Sequence, residues 1–341
     1  MTSYVGLDVS LAETSVCVLA DDGAVRFEGR VKSSPEALIR CLAEHAPDAE
    51  RIGLETGQTA GVLVRGLRAA GLPVICMETR HAHKVLSART HKTDRNDARG
   101  LAELMRVGWY REAWVRGASA TYIRSLLQAR KLLMQTKRTL ENTLRGAVKR
   151  FGVITTKTAG RGFAQRASLA MAQDPAYASY ARPMLEVLAG VVAQIRTYDR
   201  QLRAIAREHQ VSRRLMTVPG VGHLTALAFL STIEDPGRFK RSADVGPYLG
   251  LTPKIYQSGE VDRSGRITKT GDAMTRSYLV EAANVLLVKI DRPVPLRLWG
   301  LRIMERAGLK KAQVAVARKL AVLMHAMWSD GTEFEWAQAG A

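Results

Sequence analysis

An α/β domain followed by a largely helical remainder is what this sequence predicts, on three observations. Short β-rich runs separated by turn residues open the chain. Long stretches with apolar residues at three- and four-residue spacing occupy its middle. Glycine-rich turns between apolar helical runs fill the rest.

Taken in order, residues 4–11, 14–19 and 25–31 read as three strands, with Asp21-Asp22-Gly23 a turn between the last two. Ser34-Pro35-Glu36 then starts a helix running through Cys41. The Ser34 hydroxyl suits an N-cap, and Pro35 suits the first helical position, where a backbone N–H is not needed. Residues 51–54 form a buried strand ending at Glu55-Thr56-Gly57. A helix over 60–70 closes at Gly71, and 73–77 adds a further strand. This β-β-β-α-β-α-β order suits a mixed sheet of ribonuclease-H-like type. A wholly parallel sheet fits less well, because the first two connections are too short for crossover helices.

Residues 118–150 carry Ile123, Leu126, Leu127, Leu133, Met134, Leu140, Leu144, Ala147 and Val148 at helical spacing, with no proline and one glycine. A second helix is expected over 183–209. The two suggest a helical hairpin or coiled-coil arm between an N-terminal domain over 1–112 and a mainly helical C-terminal domain over 211–341. In that last part, Val218-Pro219-Gly220-Val221-Gly222 resembles the turn of a helix-hairpin-helix, whose backbone amides suit a phosphate. Residues 246–271 read as loop or short hairpin, and 309–328 as an amphipathic helix with Lys310, Lys311, Arg318 and Lys319.

The 341 residues hold 51 Lys and Arg against 32 Asp and Glu, a formal net charge of +19. Such a field draws polyanions, nucleic acid foremost. Basic side chains gather on 118–150 with Glu141 alone opposing them: Arg124, Arg130, Lys131, Lys137 and Arg138 among others, a bias that favours nucleic-acid contact over an ordinary solvated face. Cys17, Cys41 and Cys76 are far apart in apolar surroundings and read as reduced core residues, with neither a disulfide framework nor zinc spacing. Asp8 falls where a secretory signal would be apolar, and no apolar stretch is long enough to span a bilayer. The expected setting is the cytoplasm, associated with the nucleoid.

Four carboxylates stand where apolar elements give way to exposed ones. Asp8 lies inside Val5-Gly6-Leu7-Asp8-Val9-Ser10, where a charge is costly unless a cation or partner neutralises it. Glu55 ends the strand expected beside it. Asp94 and Asp97 fall in Lys92-Thr93-Asp94-Arg95-Asn96-Asp97-Ala98, and if that segment opens a helix their spacing puts both on one face. Hard oxygen donors of this kind suit two magnesium or manganese ions, which stabilise attacking and leaving oxygens at a phosphate. Each acid alone has a plainer reading, Asp94 as a helix cap and Glu55 as an arginine's partner.

These three acidic segments resemble the DEDD domain of IS110/IS1111-family transposases. Later segments resemble the same family's C-terminal domain: Val218-Pro219-Gly220-Val221-Gly222, Tyr248-Leu249-Gly250-Leu251-Thr252-Pro253, Gln257-Ser258-Gly259 and Gly265-Arg266-Ile267-Thr268-Lys269-Thr270-Gly271. The resemblance implies a RuvC-like N-terminal domain whose Asp8, Glu55, Asp94 and Asp97 hold divalent metal. It implies that Ser258 is a nucleophile forming a transient phosphoserine bond to a cut DNA strand. It also implies recombination of donor and target DNA directed by a structured non-coding (bridge) RNA. Ser264 and Ser277 lie near the same loop. Thr268 stands where the family pattern has serine, which favours Ser258 as the hydroxyl that matters. Lys254, Arg263, Arg266 and Lys269 are placed to neutralise phosphate charge, and Lys254, Arg266 and Lys269 join the nucleic-acid-binding candidates. A homo-oligomer, dimer or tetramer, is expected on DNA.

Two other readings stay open: a metal-only RuvC-like endonuclease or junction resolvase in which Ser258 is structural, and a non-catalytic nucleic-acid-binding protein. A sugar-kinase-like ATPase also begins with a Gly-x-Asp strand, but the phosphate-binding glycine motifs are missing and the basic charge is against it.

Overall fold

The computed structural model describes residues 2–87, 93–151, 163–258 and 261–335. They fall into two compact units, Met1–Gly117 and Ala118–Ala341. No helix among the described residues is long and apolar enough to cross a membrane.

The first unit contains β1 (Ser3–Val9), β2 (Glu13–Ala20), β3 (Val25–Lys32), α1 (Pro35–His45), β4 (Ala49–Glu55), α2 (Ala60–Ala69), β5 (Val74–Met77), α3 (Thr79–Leu86) and α4 (Asp94–Val107). One five-stranded sheet runs β3-β2-β1-β4-β5. β1–β2 and β2–β3 pair antiparallel, while β1–β4 and β4–β5 pair parallel. This is the mixed, ribonuclease-H-like order that the short first connections predict. Ser34 caps α1 by accepting the Ala37 amide, and Pro35 sits in the first turn as expected; the helix runs four residues past Cys41, to His45.

Alternation along β1 divides its residues between two layers. Val5 and Leu7 pack with Leu38 and Leu42 of α1 and Leu63 and Leu67 of α2 on one face. On the other face, Tyr4 joins Leu101, Leu104 and Met105 of α4, and Cys17 and Leu19 join Ala98 and Ala102. All three cysteines are free and buried. Burial pushes the Cys17 thiol up to about 12 and the Cys76 thiol up to about 11. The thiolate is the reactive form, so neither should be alkylated by iodoacetamide at pH 8 in the native protein. Mass spectrometry showing rapid native labelling at either site would contradict this burial.

The second unit begins with α5 (Ala118–Arg150), at the bounds the sequence predicts. It continues with α6 (Phe163–Gln173), α7 (Pro175–Glu208), α8 (Gln210–Leu215), α9 (His223–Ile233) and α10 (Val245–Tyr248). The hairpin β6 (Pro253–Ser258) and β7 (Val261–Ile267) follows, then α11 (Ala273–Val288), α12 (Pro295–Ala307) and α13 (Leu309–Asp330). α7 starts eight residues earlier than the sequence suggested. Asp174 accepts the Ala176 and Tyr177 amides as its N-cap, Pro175 takes the first turn, and Pro183 lies inside the helix. An interior proline removes a hydrogen bond and costs about 3 kcal/mol. Burial of Tyr177 and Ala181 against Leu144, Ala147 and Phe163 offsets it. The main C-terminal core is formed by α9, α11 and α13 around Phe229, Leu286 and Leu320.

Candidate functional site

The acidic residues are brought to one end of the sheet by the packing of α4 on β1. Gly6 faces that helix so closely that a methyl group there would stand 2.0 Å from the Ala98 carbonyl oxygen and 2.3 Å from the Ala102 nitrogen. Asp8, two residues on, belongs to the same face. Tyr4 meets Leu104 and Met105 while Gly6 meets Ala98 and Ala102. The helix therefore runs antiparallel to β1, and its first turn, with Asp94 and Asp97, comes to the Asp8 end. Gly6 is in register with Gly53 and Leu7 with Leu54 in the parallel β1–β4 pair, so Asp8 and Glu55 are the next step of that register. Gly53 also faces α4, against Met105, which puts Glu55 on the same face. One face and one end of the sheet thus hold all four acids.

Asp8, Glu55 and Asp97 are half-buried and Asp94 is exposed. Thr93 caps α4 by accepting the Asn96 amide. The two first-turn acids are also favoured by the partial positive charge of the helix N-terminus, a plainer role that would hold without any metal. Asp94 lies 3.7 Å from the Arg30 guanidinium in a largely exposed pair, and Arg95 pairs with Glu28. The exposed Arg30–Asp94 pair is weak enough to exchange, whereas the Glu28 side chain in the second pair is largely buried. The donors fit a hard divalent cation in kind and in shared placement. Among the described residues, however, no three His, Cys, Asp or Glu side chains are gathered closely enough to hold one. Lys92, which precedes the α4 motif, lies outside the described residues.

Ser258 ends β6 and pairs with Val261 in the last register step of the hairpin. Every residue of β6 is exposed, so the hydroxyl stands at the tip of a projecting ribbon. Gly259 and the side chain of Ser264 lie outside the described residues, while Ser277 is exposed on α11. The foot of the hairpin explains the glycine-rich motifs around it. Gly250 and Gly271 take φ of +66° and +72°, and a methyl group on Gly271 would meet the Tyr248 carbonyl oxygen at 2.0 Å. Arg276 Nη1 donates to the carbonyl oxygens of Leu249 at 2.8 Å and Thr270 at 2.9 Å, tying both feet to α11. Thr268 is next to Ile267, which pairs with Pro253, and its hydroxyl lies 3.0 Å from that of Thr270. Five residues of extended strand separate that pair from Ser258, roughly 17 Å. The two hydroxyls are therefore far apart on the ribbon.

The basic candidates divide sharply. Arg124 is only 8% exposed. Its Nη1 donates to Thr232 Oγ1 at 2.9 Å and its Nη2 to Asp272. It is a core ion pair, not a surface contact, and this corrects the reading from the sequence. Arg130 Nε donates to Asp199 at 2.6 Å, and Lys137 Nζ to Glu141 at 2.6 Å. The acid that local sequence lacked around Arg130 arrives from α7. Lys131, Arg138, Lys254, Arg266 and Lys269 are exposed.

A five-stranded sheet in this order, with acids at one end of the face covered by α4, defines the first unit as an α/β domain of the ribonuclease-H-like class. A DEDD-type IS110 model described as a transposase matches residues 5–152, and the Transposase IS116/IS110/IS902 family model matches 212–297. The chain belongs to the IS110 family of transposases. It is 26% identical to the transposase for insertion sequence element IS1111A of Coxiella burnetii, over 94% of this chain and 88% of that protein. A protein of Sinorhizobium fredii named as a transposase is 30% identical over 73% of this chain and 66% of its own length. Among solved structures, T. thermophilus RuvC in complex with a Holliday junction substrate matches 33% of this chain and 100% of that chain, at 14% identity and a TM-score of 0.26.

Proposed function

We propose that this transposase cuts and rejoins DNA strands through a covalent serine intermediate, with the acid-bearing end of the first unit as its divalent-cation site. The observation that supports it most is the pairing, in one chain, of a four-carboxylate sheet end with a hydroxyl at the tip of an exposed hairpin. In this reading the Ser258 oxygen attacks the phosphorus of a DNA phosphodiester. The bond to one sugar oxygen breaks, and that oxygen leaves with a proton as a free hydroxyl. Reversal by a different strand end regenerates the serine and completes rejoining. A serine hydroxyl is a poor nucleophile without activation. Arg263, which pairs with Tyr256 two residues from Ser258, would neutralise charge on the reacting phosphate, while Lys254, Arg266 and Lys269 at the foot of the hairpin would hold nucleic acid away from the reacting atoms. Asp8, Glu55, Asp94 and Asp97 would hold magnesium or manganese, two ions in the paired form, which would supply further neutralisation at phosphate when bound.

The proposed partners are donor and target DNA, a structured non-coding RNA that pairs with both, and further copies of this chain as a dimer or tetramer. The proposed setting is the nucleoid in the cytoplasm. Within the chain, 1–112 would be the nuclease domain, 113–210 the arm and 211–341 the serine domain. The four acids argue against a non-catalytic binding protein.

The test uses purified protein, DNA carrying the element ends with their flanks, and RNA transcribed from those flanks. Ser258→Ala is expected to remove the covalent protein–DNA adduct on a denaturing gel and to lower strand exchange by about a thousandfold or more. Undiminished exchange by that variant would leave the metal-only nuclease as the better reading, which the ribonuclease-H-like class of the first unit favours in its own right. Omitting the RNA should stop the reaction, and a reaction indifferent to it would remove the guide from the proposal.

A further inference from the structure

We infer that a cleft in the C-terminal unit, between the foot of the β6–β7 hairpin and helices α12 and α13, binds a single strand of nucleic acid. The cleft encloses about 1970 Å3. Arg266 and Lys269 line it from the hairpin foot, Arg302 from α12, and Lys310, Lys311, Arg318 and Lys319 from α13, and none of its lining residues is acidic. All seven cations are exposed. Among the described residues none of them pairs with a carboxylate, unlike Arg124, Arg130 and Lys137 of α5. Seven unneutralised charges converging on one concave surface repel one another, an arrangement that a polyanion relieves.

The floor of the cleft distinguishes a single strand from a duplex. Leu251, Leu296, Val314, Ala315 and Leu323 line it, and so does Trp299. A duplex presents phosphates outward and keeps its base faces stacked inside. A single strand offers base faces, and a basic groove with an aromatic platform is the arrangement that receives them. Trp299 is half-buried, and the Lys319 ammonium stands over its ring, 4.6 Å from the centroid. That contact holds a cation over the surface a base would use. On binding, Lys319 would move to a phosphate and the indole face would take the base. A second feature marks the same place: Lys269 adopts φ of +55°, a left-handed conformation that non-glycine residues rarely take. It sits between Gly250 and Gly271 at the clamped foot, where the backbone is held by the Lys269 amide donating to the Gly250 carbonyl oxygen at 3.2 Å.

This inference rests on the reading of the chain as a strand-handling protein and adds the place where a strand lies. Its test is equilibrium binding of the full chain to a fluorescein-labelled twenty-residue oligothymidine and to a labelled duplex of the same length, by anisotropy across a salt series. The variant Lys310→Gln/Lys311→Gln/Arg318→Gln/Lys319→Gln keeps helix propensity and alters only exposed side chains. It is expected to weaken single-strand binding by tenfold or more. It should also flatten the slope of log K against log salt by about 0.7 for each phosphate that is no longer neutralised. Trp299→Leu should weaken binding about tenfold and Trp299→Phe much less, since a ring still stacks. Thermal melting separates loss of binding from loss of fold, and the quadruple variant remains informative if Trp299→Leu melts early. Unchanged affinity and slope in the quadruple variant, or a wild type that prefers the duplex, would overturn the inference. Ser258→Ala should bind the single strand as the wild type does. Loss of the adduct without loss of strand binding, and the reverse, therefore report on the two proposals separately.

Discussion

Gly6→Ala is expected to unfold the N-terminal unit or to lower its melting temperature by roughly 20 °C, with the mild change in side-chain volume giving no hint of it. The added methyl would lie 2.0 Å from the Ala98 carbonyl oxygen and 2.3 Å from the Ala102 nitrogen, both backbone atoms of α4. Neither can rotate away, so the helix must lift from the central strand. Lifting it would open the packing of Cys17 and Leu19 on Ala98 and Ala102, and of Tyr4 on Leu101, Leu104 and Met105. Overpacking usually costs about 1–3 kcal/mol, and a clash of backbone with backbone belongs to the rarer class above about 4 kcal/mol. In a unit of this size that corresponds to the shift stated. Gly53→Ala provides the control. The atoms nearest its methyl would be those of the Met105 side chain, the first at 2.6 Å, and methionine adapts, so about 1 kcal/mol is expected. Equal melting of Gly6→Ala and wild type by calorimetry would refute the packing. The same geometry explains a glycine two residues before Asp8. The strand that carries the acid must let the helix with the other two acids lie against its backbone.

The second large effect concerns the ion pair inside the C-terminal unit. Arg124→Met should destabilise that unit by about 3–5 kcal/mol, because Asp272 is left with a charge in a nearly water-free place. The side chains of the pair are only 9% and 11% exposed. Asp272 is also the N-cap of α11, accepting the Thr275 amide at 2.7 Å. Burial alone would push its carboxyl up. The Thr275 amide and the Arg124 guanidinium outweigh burial and hold it below the ordinary aspartate value. A carboxyl held low in the folded state stabilises most above the unfolded value, near about 4, and the stabilisation is lost as pH falls below that. Acid should therefore destabilise the wild-type unit through this group in the region below about pH 4. Asp272→Asn can still cap the helix but leaves Arg124 without its counter-charge. Combining it with Arg124→Met removes both charges, and the double variant should regain part of the loss. If urea titration finds the double variant less stable than either single one, the lone-charge account fails.

Much of the N-terminal fold was legible because its signals are local. The capping serine before Pro35, the turn at Gly23, and the alternation along β1 and β2 each depend on a few neighbouring residues. The connections between β1, β2 and β3 are too short for anything but hairpins, which nearly determines the sheet order. The acids could be singled out one by one, since a carboxylate in an apolar strand is conspicuous. That Gly6 and Gly53 place them on the helix-covered face needed the packing of α4. α7 shows the limit of local reading. Pro175 and Pro183 both resemble first-turn prolines, and the buried Tyr177 decides for the earlier one.

By itself, the sequence determined the order of elements, the excess of positive charge and the motifs that mark the family, while the cap of α4 is Thr93 and not the Asp94 that the sequence offered. Only the tertiary structure decided which cations are available. Arg124 meets Asp272 across 148 positions of chain, and Arg130 meets Asp199 across 69. Arg302 of α12 and Lys310, Lys311, Arg318 and Lys319 of α13, by contrast, share a cleft with Arg266 and Lys269, and among the described residues none of these cations is paired with a carboxylate. Hydrogen-bonded caps and strand alternation are set within a turn or two of backbone, so sequence carries them directly. Whether a charge is neutralised depends on which distant face is packed against it, and that is settled only when the chain has folded.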